Sequence, residues 1–174
     1  MPPDLRLFLQ FALPVSEGWV NWRHTSEDDI RFMLNRPLDG MCFDIETNGF
    51  WMEEWGDKPL TMQECFQIAK NAVRAAPKLI PIYGRCYIPD EPASAGNPIL
   101  WISQTTIRYD GYDLADFFQE NFRNEYYLDS PITLPELPKP PWMAQSPKQV
   151  RFWDEVKERN KLCWVLHQDI VQEQ

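Results

Sequence analysis

The sequence predicts an α+β domain, a single largely antiparallel sheet flanked by helices, and three observations carry that prediction. Residues 80 to 122, IPIYGRCYIPDEPASAGNPILWISQTTIRYDGYDLADFFQENF, follow one apolar run, Leu79 to Tyr83, with a second, Ile99 to Ile102. The turn formers Pro89, Pro92, Gly96, Asn97 and Pro98 lie between the two. Thr61 to Ala76 is apolar on one helical face only, as expected of a helix lying over a sheet. The apolar runs are too close in sequence for helical crossovers between most of them, which favours antiparallel pairing.

Taken in order, Leu5, Phe8, Leu9 and Ala12 share a face, so the first dozen residues predict a helix that stops at Pro14. Ser26 and Asp29 make a capping-box-like start for a second helix, with Glu27, Asp28 and Asp29 at the positive end of its dipole. Ile30, Met33 and Leu34 are expected to face inward, and Pro37 to end it. Phe43-Asp44-Ile45-Glu46 alternates apolar and acidic residues and predicts a half-buried strand, carboxylates outward.

The third helix runs from Thr61, which forms a capping box with Glu64, to Ala76, and Pro77 stops it. Its apolar stripe is Cys65, Ile68, Ala69, Ala72, Val73 and Ala76. After the two strands come Ile107 and Tyr109, an expected turn at Asp110-Gly111, and a helix capped by Asp113 with Leu114, Phe117, Phe118 and Phe122 on one face. Pro131, Pro135, Pro138, Pro140 and Pro141 then preclude helix or central strand. Residues 1–130 are expected to form the domain, and 131–145 either a flexible linker or, as the interleaved Leu134, Leu137 and Trp142 favour, a Pro-rich strap packed on it. Residues 146–174 add a last helix and tail, with Ser146 as cap, Pro147 as first helical residue and Val150, Trp153 and Val156 facing inward. The run Leu162 to Leu166 fits either continued helix or edge strand.

The order of these pieces resembles the SUKH superfamily, which includes bacterial toxin-immunity proteins, fungal cell-wall-synthesis regulators of the Smi and Knr type, and the bacterial protein Syd. The residues that carry the likeness are Pro81-Ile82-Tyr83, Tyr87-Ile88-Pro89, Glu91-Pro92, Gly96-Asn97-Pro98, Gln104-Thr105, Tyr109, Gly111 and Asp113 to Asp116. Upstream, Trp22, Asp29-Ile30, Pro37 to Gly40, Phe43 to Glu46, Phe50-Trp51, Trp55-Gly56 and Pro59 fit in the same order. The resemblance spans about Gly18 to Phe122 and implies the same α+β architecture.

The chain has 174 residues, with 17 basic and 26 acidic side chains and a net charge of −9. A chain of this length buries roughly 70% of its unfolded surface, enough for a real core. The acidity and the lack of a basic run argue against direct nucleic-acid binding, which depends on clustered Lys and Arg. It fits either a plain solvated surface or a partner with a basic face. Cys42, Cys65, Cys86 and Cys163 are scattered, and only His24 and His167 could join them, so no metal site and no cofactor are expected. Asp4 and Arg6 interrupt the apolar N-terminus and no membrane-length apolar run follows, so a cytoplasmic protein with no membrane contact is expected.

One motif invites an enzymatic reading. Asp44-x-Glu46-Thr47 resembles the way DEDD-type exonucleases open their metal site, since strand residues two apart share a face and could clamp divalent ions. Those enzymes need further Asp residues. Tyr109 and Asp113 imitate only the last of them, and Asp113 is more simply a helix cap. Phosphate loops, nucleophile elbows and zinc-protease motifs are missing.

The reading that remains is a non-catalytic binding protein. The densest candidate contact is Phe50 to Asp57, where Glu53, Glu54 and Asp57 would steer a basic partner and Trp51 and Trp55 are either anchors or packing. The resemblance implies an immunity-type protein that blocks a cognate toxin domain, whose nucleic-acid ligand the acidic face would imitate if the toxin is a nuclease. As an alternative it allows an intracellular regulatory or scaffolding module of the Smi/Knr type, and a monomer or weak dimer is expected.

Overall fold

The computed structural model describes residues 1–14, 17–122, 140 and 143–161. Its centre is an antiparallel meander of β1 (Leu79–Tyr83), β2 (Cys86–Pro89), β3 (Ile99–Ser103) and β4 (Thr106–Gly111), in the order β1-β2-β3-β4. Around it lie α1 (Pro3–Phe11), α2 (Glu27–Thr47), a 3₁₀ turn at Glu53–Trp55, α3 (Met62–Ala75) and α4 (Leu114–Phe122). A further helix, α5, occupies 153–161. The architecture is α+β, as the sequence predicts.

Side-chain alternation along the strands sorts the core into two layers. Leu79, Tyr87, Leu100, Ile102 and Ile107 face one way, joining Met41 and Ile45 of α2, Cys65 and Ala69 of α3, and Trp153 and Val156 of α5. Ile82, Cys86, Ile88 and Ile99 face the other way, against Leu5 of α1 and Leu114 and Phe117 of α4. Covered on both sides, β2 is buried throughout.

The caps of α2, α3 and α4 match expectation. Ser26 Oγ accepts the Asp29 amide, Thr61 Oγ1 accepts that of Glu64, and Asp113 Oδ1 accepts that of Asp116 at 2.8 Å. The opposite oxygen of Asp113 takes the Ala144 amide at 2.9 Å, and Met143 beside it is buried. The chain leaving the Pro-rich segment is therefore fastened to the start of α4. Strap residues 131–139 and 141–142, together with Cys163, His167 and the run Leu162 to Leu166, lie outside the described residues.

Several local expectations are corrected. Pro37 does not end the second helix: α2 runs on for ten more residues, to Thr47. The lost N–H of a mid-helix proline orphans the carbonyl four residues back, which is Met33 O, and here the Tyr87 hydroxyl of β2 donates to it at 3.0 Å. Phe43 to Glu46 is consequently helix, not strand: Asp44 and Ile45 are buried, while Phe43 and Glu46 are exposed. Leu34 points outward rather than into the core. Asp110 and Gly111 end β4 instead of forming a turn; an added Cβ on Gly111 would sit 2.6 Å from Phe117 Cβ, so glycine lets α4 press on the strand. Lastly, the final helix starts at 153 and not at Pro147, because Phe152 adopts φ +70°, outside the helical region. Val150, Trp153 and Val156 are nevertheless all buried.

Candidate functional site

Asp44, the residue most suggestive of chemistry, is consumed by the fold. Its Oδ2 accepts from the Thr105 amide at 2.9 Å and the Thr105 hydroxyl at 2.5 Å, and its Oδ1 accepts from Asn48 Nδ2 at 2.6 Å. Thr105 lies in the tight β3–β4 turn, where Gln104 has φ +58°. One helical turn before Asp44, Gly40 lets that hairpin approach: a Cβ there would lie 2.7 Å from Gln104 Cα. Gly40 and Asp44 thus form a receptor on α2 for the hairpin tip. Glu46, on a different side of the helix, is exposed, so the shared-face geometry of a two-carboxylate metal site does not arise at this pair. Among the described residues no group of three His, Cys, Asp or Glu side chains is placed to hold a metal ion.

The Phe50 to Asp57 segment divides by side-chain type. Trp51 is 8% exposed; its indole N–H donates to Gly56 O at 2.7 Å, and Trp55 packs edge-on against it with centroids 5.1 Å apart. Both rings join the main core, Trp55 as a half-buried member. Glu53, Glu54 and Asp57 are exposed.

Glu53 and Glu54 form one wall of a cleft of about 710 Å³ whose other wall is α5 and the residues before it. That wall supplies Asp154, Glu155 and Glu158 together with Arg151 and Arg159, so five carboxylates face two guanidinium groups. Arg159 is already committed, since Nε donates to Trp51 O at 2.8 Å and NH1 reaches Glu53 at 3.2 Å. The contact fastens α5 beneath the 3₁₀ turn and engages half of the cleft's positive charge internally. Arg151 stands 3.9 Å from Glu155 and is almost wholly exposed, a contact too loose to count for much. Glu158 hydrogen-bonds Lys161 at 2.8 Å, which lowers its pKa and keeps it ionised. Asp57 is outside the lining.

Asp154, on the cleft floor, shapes the site through internal bonds. One oxygen accepts the Val150 amide at 2.8 Å and the other accepts the Tyr109 hydroxyl from β4. Lys157 lies 4.2 Å above the Tyr109 ring. Tyr109 is held protonated well above the ordinary phenol range, first by burial and then by the Asp154 hydrogen bond. The acids of α5 stand about a hundred residues from Glu53 in the chain, so sequence proximity carries no sign of the pairing. The inward spacing of Val150, Trp153 and Val156 is the available clue, because it forces Glu155 and Glu158 outward.

Comparison with family models, with curated proteins and with solved structures gives no match. No described helix is long and apolar enough to cross a membrane.

Proposed function

We propose that the chain is a non-catalytic protein-binding module of immunity type, which docks the basic face of a cognate bacterial toxin domain on its acidic cleft. The observation that carries the docking surface is the convergence of Glu53 and Glu54 with Glu155 and Glu158 around one depression. The resemblance to SUKH proteins supplies the class of partner. Carboxylates spaced over a concave surface imitate the phosphates a nuclease would otherwise hold, and their field accelerates encounter with a basic surface. A binding role fits the saturation of the Asp44 carboxylate by three internal donors, which leaves the most enzyme-like motif of the chain with a structural job.

Co-expression with the product of the neighbouring gene tests the reading. Rescue of growth and a stoichiometric complex on size exclusion are expected; neither appearing sinks it. With a complex in hand, Glu54→Lys, Glu155→Lys and Glu158→Lys together are expected to weaken binding about a hundredfold or more, given that close interfacial charge pairs couple by ~1.5 kcal/mol upwards. An unchanged affinity with an unchanged circular-dichroism spectrum would move the interface elsewhere. A constitutive host partner and no effect on any toxin would instead favour the Smi/Knr-type regulatory role.

A further inference from the structure

The solvent side of α2 carries two exposed aromatic rings with a cation and a carboxylate between them. Pro37, Met41, Asp44 and Ile45 mark its buried side. At 100° per residue the opposite meridian passes through Phe32, Arg36, Asp39 and Phe43. Phe32 is 59% exposed and Phe43 48% exposed, an unusual degree of exposure for two aromatic rings on one helix face. None of the residues lining the acidic cleft belongs to α2, so the two surfaces are distinct.

The order of these residues is self-complementary. A two-fold axis crossing α2 between residues 37 and 38 exchanges 32 with 43 and 36 with 39. Two antiparallel copies would therefore set Phe32 of each against Phe43 of the other, about 16 Å along the helix from its own Phe43. At the same time Arg36 would meet Asp39 twice. Arg36 NH1 donates to Gly84 O of the β1–β2 turn at 3.0 Å and its guanidinium carbon lies 5.0 Å over the Phe32 ring, which fixes the cation beside the aromatic and leaves its other N–H groups to meet Asp39. Asp39 is exposed. We infer that α2 is an isologous docking surface for a second copy of this chain, with two Phe32–Phe43 contacts flanking two Arg36–Asp39 pairs.

One face of a 21-residue helix falls short of the roughly 1,000 Å² that a stable interface buries, so the pairing is weak and reversible. Sedimentation velocity on the full chain is expected to show a mass rising from monomer towards dimer, with a dissociation constant on the order of 100 µM. Asp39→Arg places like charges at both pair positions and is expected to leave a monomer, as is Phe43→Ser. Both side chains are exposed, so circular dichroism and melting are expected to stay unchanged. Arg36→Asp alone is also expected to be monomeric. Mixing Asp39→Arg chains with Arg36→Asp chains restores opposite charges at both crossings of each mixed pair and is expected to give a heterodimer. A wild-type chain monomeric up to about a tenfold higher concentration overturns the inference. So does a dimer that survives Asp39→Arg and Phe43→Ser, or a mixture that fails to pair while its two components remain folded.

Discussion

Asp44 shows how a residue can carry the look of catalysis and the work of packing. Asp44→Ala strands the buried Thr105 amide and hydroxyl, and hydrogen bonds to a charged group contribute about 1.5 to 3 kcal/mol each before overlap, so a loss of about 3 kcal/mol is expected in urea unfolding. Its burial was illegible from Phe43 to Glu46 alone, because four residues of alternation fit a strand, and only the wider spacing of Pro37, Met41, Asp44 and Ile45 reports a helix. Cys86 and Tyr109 make a second prediction at this scale. Burial, reinforced by the Asp110 carboxylate 3.3 Å away, raises the Cys86 thiol from its ordinary 9.0, and Tyr109 is raised from 10.0. Above those ordinary values the unfolded chain sheds protons that the folded chain retains. The stability due to both groups is therefore complete below about pH 9 and declines as the solution becomes more alkaline. Denaturant midpoints measured from about pH 9 upward are expected to fall, and Tyr109→Phe to shallow the decline above about pH 10.

Among the elements, α2 departs furthest from its sequence signals, and the departure has a single cause. Pro37 is a strong stop on local grounds, but the Tyr87 hydroxyl, reaching from a strand about fifty residues later, fills the carbonyl vacancy it creates. Tyr87→Phe is expected to cost about 1 to 2 kcal/mol in thermal or denaturant melts, and markedly less in a Pro37→Ala background, where the backbone N–H regained at that position would serve Met33 O instead. Equal costs in the two backgrounds would refute the compensation. The caps of α2, α3 and α4 were legible because they are written within three or four residues. β1 and β3 were legible as apolar runs. β2 and β4 were not, since Pro89 looks like a breaker and Thr106 to Gly111 mixes polar with apolar residues at the sheet edge.

At the scale of the whole molecule, the fold class followed from one-faced helices and closely spaced strands. The acidic cleft did not, since it exists only once α5 is pinned under the 3₁₀ turn by Arg159. Arg159→Ala is expected to loosen that wall, weakening binding of the proposed partner about tenfold while leaving the sheet intact, as far-ultraviolet circular dichroism and titration against that partner would show. Association of the proposed basic partner with Glu53, Glu54, Glu155 and Glu158 should also slow as salt rises, most of the change falling in the on-rate. The hairpin tip held by Asp44 has a consequence for dynamics. Amides in tight turns ordinarily exchange with solvent quickly, through local fraying. The Thr105 N–H points into a buried carboxylate sixty-one positions away in the chain, and cannot meet water until α2 leaves the sheet. A single turn residue should thus exchange as slowly as the central strand and serve as a spectroscopic clock for the opening of the entire helix layer.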